Sequence, residues 1–272
     1  MKPGNTETQT RFTGLVLAGD RGPGDPVAAM AGVACKAFCP VDGTPMLARV
    51  LDALENSPSV EKLVLSGPRG EVLDDLDMLQ EGIDSARWRW LEPGPSPSVS
   101  AGTAMDTVEP TSPILLTTAD HALLRPEIVE HFCAAARKTG ADLVVGMVRY
   151  EEVMHAFPGM RRTGIGFRDG KYCGCNLYAF LSPDARRAAE FWRRVEQDRK
   201  KPWRMIRALG WYSLLRYVGG RLTLDDALQL LSKRIGVDID RVMLPYPEAA
   251  VDVDKPSDLE YVERLVRAEV RP

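Results

Sequence analysis

The chain has 272 residues, 44% of them hydrophobic and 27% charged, with a formal net charge of −3. That composition is globular and excludes a disordered or collagen-like protein. The weak negative charge offers no global basic field for nucleic acid, and no run approaches the ~20 apolar residues of a membrane-spanning helix.

Short apolar runs alternate with helix-like segments through the first half. Phe12 to Ala18 reads as a buried strand ending in Gly19. Lys62–Leu65, stopped by Ser66-Gly67-Pro68, and Trp88–Leu91, stopped by Pro93-Gly94-Pro95, are the next two. Ile114–Thr118, ending at Asp120, and Leu143–Val148 follow. Helices are predicted over Pro45–Glu55, Val99–Val108 and Pro126–Lys138. Short apolar strands alternating with helices predict an α/β fold, with a mostly parallel sheet covered on both faces. The length suits one such domain.

After residue 150 the pattern changes. Thr163 to Phe180 reads as two strands joined at Asp169-Gly170, a hairpin signal. A long helical stretch runs from Pro183 to Gly236, broken by Gly210, Gly219-Gly220 and Gly236. A short strand over Ala249–Val253 precedes a helix that starts at Pro256, where proline suits the first helical position.

The cysteines, Cys35, Cys39, Cys133, Cys173 and Cys175, are odd in number and poorly spaced for zinc, which predicts reduced thiols. Met1 to Arg11 is polar and lacks the apolar core of a signal peptide, so the cytoplasm is the expected compartment.

In open α/β sheets, ligands bind beyond the carboxyl ends of the strands. Ala18-Gly19-Asp20-Arg21-Gly22, Thr118-Ala119-Asp120 and Asp252-Val253-Asp254 are predicted to meet there. A glycine loop offers backbone N–H groups to phosphate oxygens. Arg21 suits paired hydrogen bonds to a phosphate, and Lys36 adds positive charge. Carboxylates at strand ends suit Mg2+, which takes one or two of them together with substrate phosphates. The loop lacks the ending of a P-loop and the spacing of a dinucleotide fingerprint. His121, beside Asp120, reads as a solvated loop residue or a phosphate contact.

Leu17-Ala18-Gly19-Asp20-Arg21, then Lys36, then Val41-Asp42-Gly43-Thr44-Pro45-Met46-Leu47 resembles the opening of the MobA-like nucleotidyltransferases. That group includes molybdenum-cofactor guanylyltransferase and methylerythritol-phosphate cytidylyltransferase. Gly94-Pro95-Ser96-Pro97-Ser98-Val99 is similar to the family's base and ribose loop, and Thr117-Thr118-Ala119-Asp120 to its metal-binding strand end. Gly174 to Phe180 resembles the strand that brings an Asn, here Asn176, to the acceptor side. Val251 to Leu259 resembles the closing D-x-D-x-P-x-D-L.

The resemblance implies a three-layer, Rossmann-like (GT-A-like) fold. Its mixed, mostly parallel sheet has helices on both faces and a helical insertion over residues 185–236 of one domain, 1–272. It implies nucleotide binding by Leu17, Ala18, Gly19, Asp20, Gly94 and Ser98, and acceptor binding by Asn176. It implies a catalytic role for Arg21, Lys36 and Asp120, with Mg2+ held by Asp120 and by Asp254 or Asp252. The implied reaction is attack of an acceptor phosphate or hydroxyl on the α-phosphorus of a nucleoside triphosphate, CTP or GTP, with release of pyrophosphate. The acceptor would be a phosphorylated small molecule or lipid precursor.

Two features depart from the family pattern. Asp20 replaces the second glycine of the opening loop, and the gap from Arg21 to Lys36 is long, filled by Gly22-Pro23-Gly24-Asp25-Pro26. Asp20 keeps open a protein that holds a nucleotide without turnover. A GT-A glycosyltransferase is the other alternative, but Ala119-Asp120-His121 stands where that class needs Asp-x-Asp. The insertion is basic (Arg193, Arg194, Arg199, Lys200, Lys201, Arg204) and rich in tryptophan and apolar residues. It reads as a cover for the acceptor side, a peripheral membrane contact through 200–218, or a contact between copies of the chain.

Overall fold

A computed structural model describes residues 10–19, 24–160, 162–197 and 217–270. β1 (Phe12–Leu17) is buried along its whole length, as a central strand covered on both faces must be. A small antiparallel ladder, β2 (Pro40–Val41) with β3 (Thr44–Pro45), precedes the next long strand. β1 pairs in parallel with β4 (Val60–Ser66) on one side and β6 (Ile114–Thr118) on the other. β5 (Trp88–Leu91) extends the sheet beyond β4, also in parallel.

β7 (Leu143–Arg149), β8 (Ile165–Phe167), β9 (Gly170–Phe180) and β10 (Ile239–Met243) complete an eight-stranded sheet of order β10-β7-β9-β6-β1-β4-β5, with β8 on β9. β9 runs antiparallel to β6, β7 and β8. β10 is parallel to β7. The mixed, mostly parallel sheet is as expected.

The two-residue period of β1 divides the core. Phe12 and Val16 face α2 (Met46–Glu55) and α5 (Pro126–Thr139), which bury Leu47, Val50, Leu51, Ile128 and Phe132 against that side. Leu15 and Leu17 face α4 (Pro97–Met105), together with Ala185 and with Ala189 of α7 (Arg187–Gln197). Ser96 caps α4, and Pro126 opens α5. α8 (Leu224–Ile235) begins with a reciprocal Thr223–Asp226 capping box and stops at Gly236, whose φ is +75°.

Besides the small β2–β3 ladder, four elements carry no signal in the sequence reading. α1 (Pro26–Ala31) lies in the long gap before Lys36, and α3 (Asp77–Asp84) and α6 (Tyr150–Ala156) are short surface helices. β10 falls between Gly236 and Ala249, where the sequence suggested no element. That last strand, Ala249–Val253, does not form. A 3-10 turn (Pro247–Ala250) leads into an extended segment whose one backbone tie to the β6 exit is Val253 N donating to Asp120 O at 3.1 Å. Val251 and Val253 are buried there against α1 and α9 (Pro256–Val270), not in the sheet. Their apolar side chains satisfy a strand pattern and a loop core equally well.

The Pro183–Gly236 stretch supplies a 3-10 turn (Pro183–Arg186), α7 and α8. Residues 200–216, which carry most of the membrane-contact reading, lie outside the described residues. Among the described residues, no helix is long and apolar enough to cross a membrane. All five cysteines are buried and unbridged.

Candidate active site

The carboxyl ends of β1 and β6 bring two of the predicted segments to one edge, and the extended segment after Ala250 brings the third. After β1, Ala18 N donates to Ser66 O at 2.8 Å, and Leu17 O accepts from Ala119 N at 2.9 Å. The Ala18 N–H and the Leu17 carbonyl are therefore engaged in the sheet. Gly19 is the exposed residue at this strand end. Asp20 and Arg21 lie outside the described residues.

Gly19 is boxed in by the two adjoining loops. A Cβ on it would stand 3.2 Å from Pro93 Cβ, and a Cβ on Gly67 would stand 2.7 Å from Gly19 N. Gly67 also has φ +88°, so the turn after β4 needs glycine twice over. Beyond Pro93, Gly94 N donates to Ser100 Oγ at 2.9 Å. The first turn of α4 closes on a carboxylate: Glu196, from α7, accepts from Ser96 Oγ at 2.7 Å, from Ser98 N at 3.2 Å and from Ser98 Oγ. A carboxylate at a helix N-terminus is favourable. It fastens α7, and so the start of the insertion, to the Gly94–Ser98 loop.

The long gap before Lys36 is accommodated by α1. Asp25 caps that helix, accepting from Val27 N at 2.9 Å, and Gly32 ends it with φ +67°. α1 packs on α9, and a 3-10 turn (Lys36–Phe38) then presents Lys36. Its Nζ lies 2.6 Å from Asp120 Oδ2 and 3.4 Å from Asp254 Oδ1. Thr118 Oγ1 donates to Asp120 Oδ1 at 2.6 Å. Burial alone would lower the Lys36 pKa, but the carboxylates of Asp120 and Asp254 override it and hold it above its usual value. Burial would likewise raise Asp120; Lys36 and the Thr118 hydroxyl hold its carboxyl below the usual range.

Asp252 stands in different company. Arg162 forms an ion pair with it and donates from Nη1 to its carbonyl at 3.1 Å. Asn176 Nδ2 donates to its Oδ2 at 3.2 Å. Burial pushes the Asp252 pKa up, Arg162 opposes this, and the charges of Asp120 and Asp254 add to it. Asn176 reaches this place through an irregularity in β9. Tyr178 pairs with Val145 and Gly174 with Met147, so β9 carries extra residues there, and Asn176 adopts φ +48°. Bulges of this kind re-aim side chains beside active sites.

His121 matches neither expectation. It is 1% exposed, with Nδ1 3.5 Å from Thr117 Oγ1. Burial pushes its pKa down to about 4. It is a neutral core residue that braces the turn carrying Asp120.

Thus Gly19, Gly94 and Ser98 share one part of this edge, and Lys36, Asp120, Asp252, Asp254 and Asn176 share another. Arg162, Glu196, Gly67 and Thr118 are additions. Gly67 carried a turn signal in Ser66-Gly67-Pro68. Arg162 and Glu196 had no local signal, because their partners lie 90 and 98 residues away.

The donor set around Lys36 fits a hard divalent cation. Two carboxylates from different segments face one ammonium, the arrangement that a metal needing one or two carboxylates plus phosphate oxygens would use. Among the described residues, no group of three or more His, Cys, Asp or Glu forms a closed metal cage.

The fold and the sequence place the chain among known proteins. No curated protein matches it significantly. A hypothetical transferase from Thermus thermophilus is 29% identical, with a TM-score of 0.74, over 92% of this chain and 99% of that one. CMP:2-keto-3-deoxy-manno-octonic acid synthetase complexed with CTP shares the fold at 13% identity and a TM-score of 0.55, over 96% of this chain and 100% of its own. The 4-diphosphocytidyl-2C-methyl-D-erythritol synthase of Anaerococcus prevotii does so at 13% and 0.58, over 95% of this chain and 99% of its own. The profile of the MobA-like NTP transferase domain matches residues 14–210. The chain therefore belongs to the family of MobA-like NTP transferase domains and is a nucleotidyltransferase.

Proposed function

We propose that the chain transfers a nucleoside monophosphate from CTP to a phosphorylated small molecule, releasing pyrophosphate, with Mg2+ as cofactor. The observation that carries this reading is the Lys36 ammonium between Asp120 and Asp254, 2.6 and 3.4 Å away. Lys36 is charged at any working pH and lies where phosphate oxygens need a donor. Asp120 and Asp254 would hold Mg2+, which supplies neutralisation of charge on the transferring phosphates. An oxygen of the acceptor phosphate bonds to the α-phosphorus as the bond to the departing pyrophosphate breaks. That nucleophile is already ionised, so no residue has to remove a proton. Positioning and electrostatics then supply the rate enhancement.

Gly19, Gly94 and Ser98 form the nucleotide side. Arg21, outside the described residues, is the further phosphate ligand that the family resemblance implies. Asn176 stands on the acceptor side. CTP is favoured by two fold neighbours, one complexed with CTP and one named for a diphosphocytidyl product. The whole chain acts as one unit with the helical insertion built in, which the Glu196 contact to Ser96 and Ser98 supports. Pyrophosphate release measured with CTP, GTP, UTP and ATP against sugar phosphates and polyol phosphates tests the reading. Release with CTP and one of these acceptors, abolished by Asp120→Asn, is expected. No release with any pair sinks it.

A further inference from the structure

We propose that Arg162 is a positioning residue that decides which closing carboxylate faces the cation site, an inference that rests on the reading above. Asp120 and Asp254 both disfavour the charge of Asp252 at this edge, and among the described residues two side-chain cations pair with the three carboxylates. Lys36 takes Asp120 and Asp254. Arg162 takes Asp252, with the two side chains 11% and 18% exposed.

Asp252 is held at three atoms. Asn176 donates to Oδ2 at 3.2 Å, and Arg162 Nη1 donates to the backbone carbonyl at 3.1 Å. Oδ1 is buried and, among the described residues, has the Arg162 guanidinium as its partner. The chain on the far side is fixed as well. Val253 N donates to Asp120 O at 3.1 Å, and Asp254 N and Lys255 N donate to Asp258 Oδ2 at 3.1 and 3.0 Å. Arg162 itself enters from the segment between α6 and β8, so the acceptor-side arm is pinned to the closing motif.

Removing the guanidinium strands a buried carboxylate, which is costly unless it finds another cation. The cation it would find is the ion held beside Asp120 and Asp254, whose charges already bear on Asp252. A site of two carboxylates would become a site of three. Mg2+ works with one or two carboxylates and keeps its other positions for phosphate and water, whereas Ca2+ gathers six to eight oxygens. Arg162 thus keeps the site suited to Mg2+.

The test is calorimetric titration of Mg2+ and of Ca2+, without nucleotide, into the full chain and its variants. Arg162→Met is expected to tighten Ca2+ relative to Mg2+ by about tenfold, from the added carboxylate. Arg162→Met with Asp252→Asn should restore the wild-type ratio, and Asp254→Asn alone should weaken both ions by about tenfold. An unchanged ratio in Arg162→Met overturns the proposal. So does a double variant that loses as much affinity as Asp254→Asn, which would make Asp252 a ligand. If Arg162→Met does not fold, the double variant decides, since it leaves no unpaired carboxylate at position 252: the wild-type ratio is expected, and a loss as large as that of Asp254→Asn overturns the proposal. A wild-type chain that binds neither ion overturns the Mg2+ reading itself, and this inference with it. Ions bound equally by the wild type and by the Arg162 variants overturn this inference alone.

Discussion

Lys36 and Asp120 meet at 2.6 Å across 84 positions of sequence, and each shifts the other's titration toward the charged form. The pair is held from both sides. The 3-10 turn after α1 carries the lysine, and the β6 exit, laced to Val253 and to the Thr118 hydroxyl, carries the aspartate. In the proposed reaction, an ammonium so fixed would meet phosphate oxygens without reorganising. Lys36→Met is expected to lower kcat for pyrophosphate release by about 10²–10³-fold, the range for removing one preorganised charge stabiliser. Steady-state kinetics at saturating nucleotide check this, and a loss under threefold counts against it.

Asn176 combines a side-chain role with a backbone one. At φ +48°, alanine adds strain that glycine avoids, and both lose the bond to Asp252. Asn176→Gly should therefore be more stable than Asn176→Ala by about 1 kcal/mol. Both should raise KM for the acceptor more than KM for the nucleotide. Urea unfolding and two-substrate kinetics separate the two effects, and equal KM changes would remove Asn176 from the acceptor side.

Gly67 buttresses the loop after β1. Alanine there would hold a positive φ and push its Cβ to 2.7 Å from Gly19 N and 2.8 Å from Ala18 C, both backbone atoms. Gly67→Ala is expected to cost about 2–3 kcal/mol in urea unfolding. It should also weaken nucleotide binding by displacing Gly19. Wild-type affinity in this variant would separate Gly19 from the nucleotide.

His121 gives the fold an acid limit. Burial depresses its pKa to about 4 from an ordinary 6.5, so it stays neutral while the unfolded chain takes up a proton. Its contribution is intact above pH 6.5 and is lost as pH falls toward about 4. The slope in that window is at most about 1.4 kcal/mol per pH unit. His121→Gln should flatten the pH dependence of the unfolding free energy between those limits, and an unaltered slope would show that His121 is not the titrating group.

Much of this was legible locally. The apolar run of β1, Pro126 and Pro256 at helix starts and Gly236 at a helix end are decided by neighbours a few residues away, and the family motifs sit close by. The alternation of strands and helices then pointed to the sheet's carboxyl edge, where Gly19 follows β1 and Asp120 follows β6.

Local pattern failed where one signal served two environments. Ala249–Val253 is apolar because it packs against α1 and α9, not because it ladders into the sheet. His121 is polar in type yet buried. The inserted α1 was invisible as a device for returning Lys36 to the site.

The sequence by itself determined the fold family and named the residues of the proposed active edge: which glycines, which lysine and which carboxylates. Only the tertiary structure decided their pairing. Lys36 takes Asp120 and Asp254, Arg162 and Asn176 take Asp252, and Glu196 takes Ser96 and Ser98. The reason is physical. A buried charge must find a counter-charge wherever packing puts one, and packing joins residues that are 76 to 218 positions apart, a distance over which no local periodicity carries information.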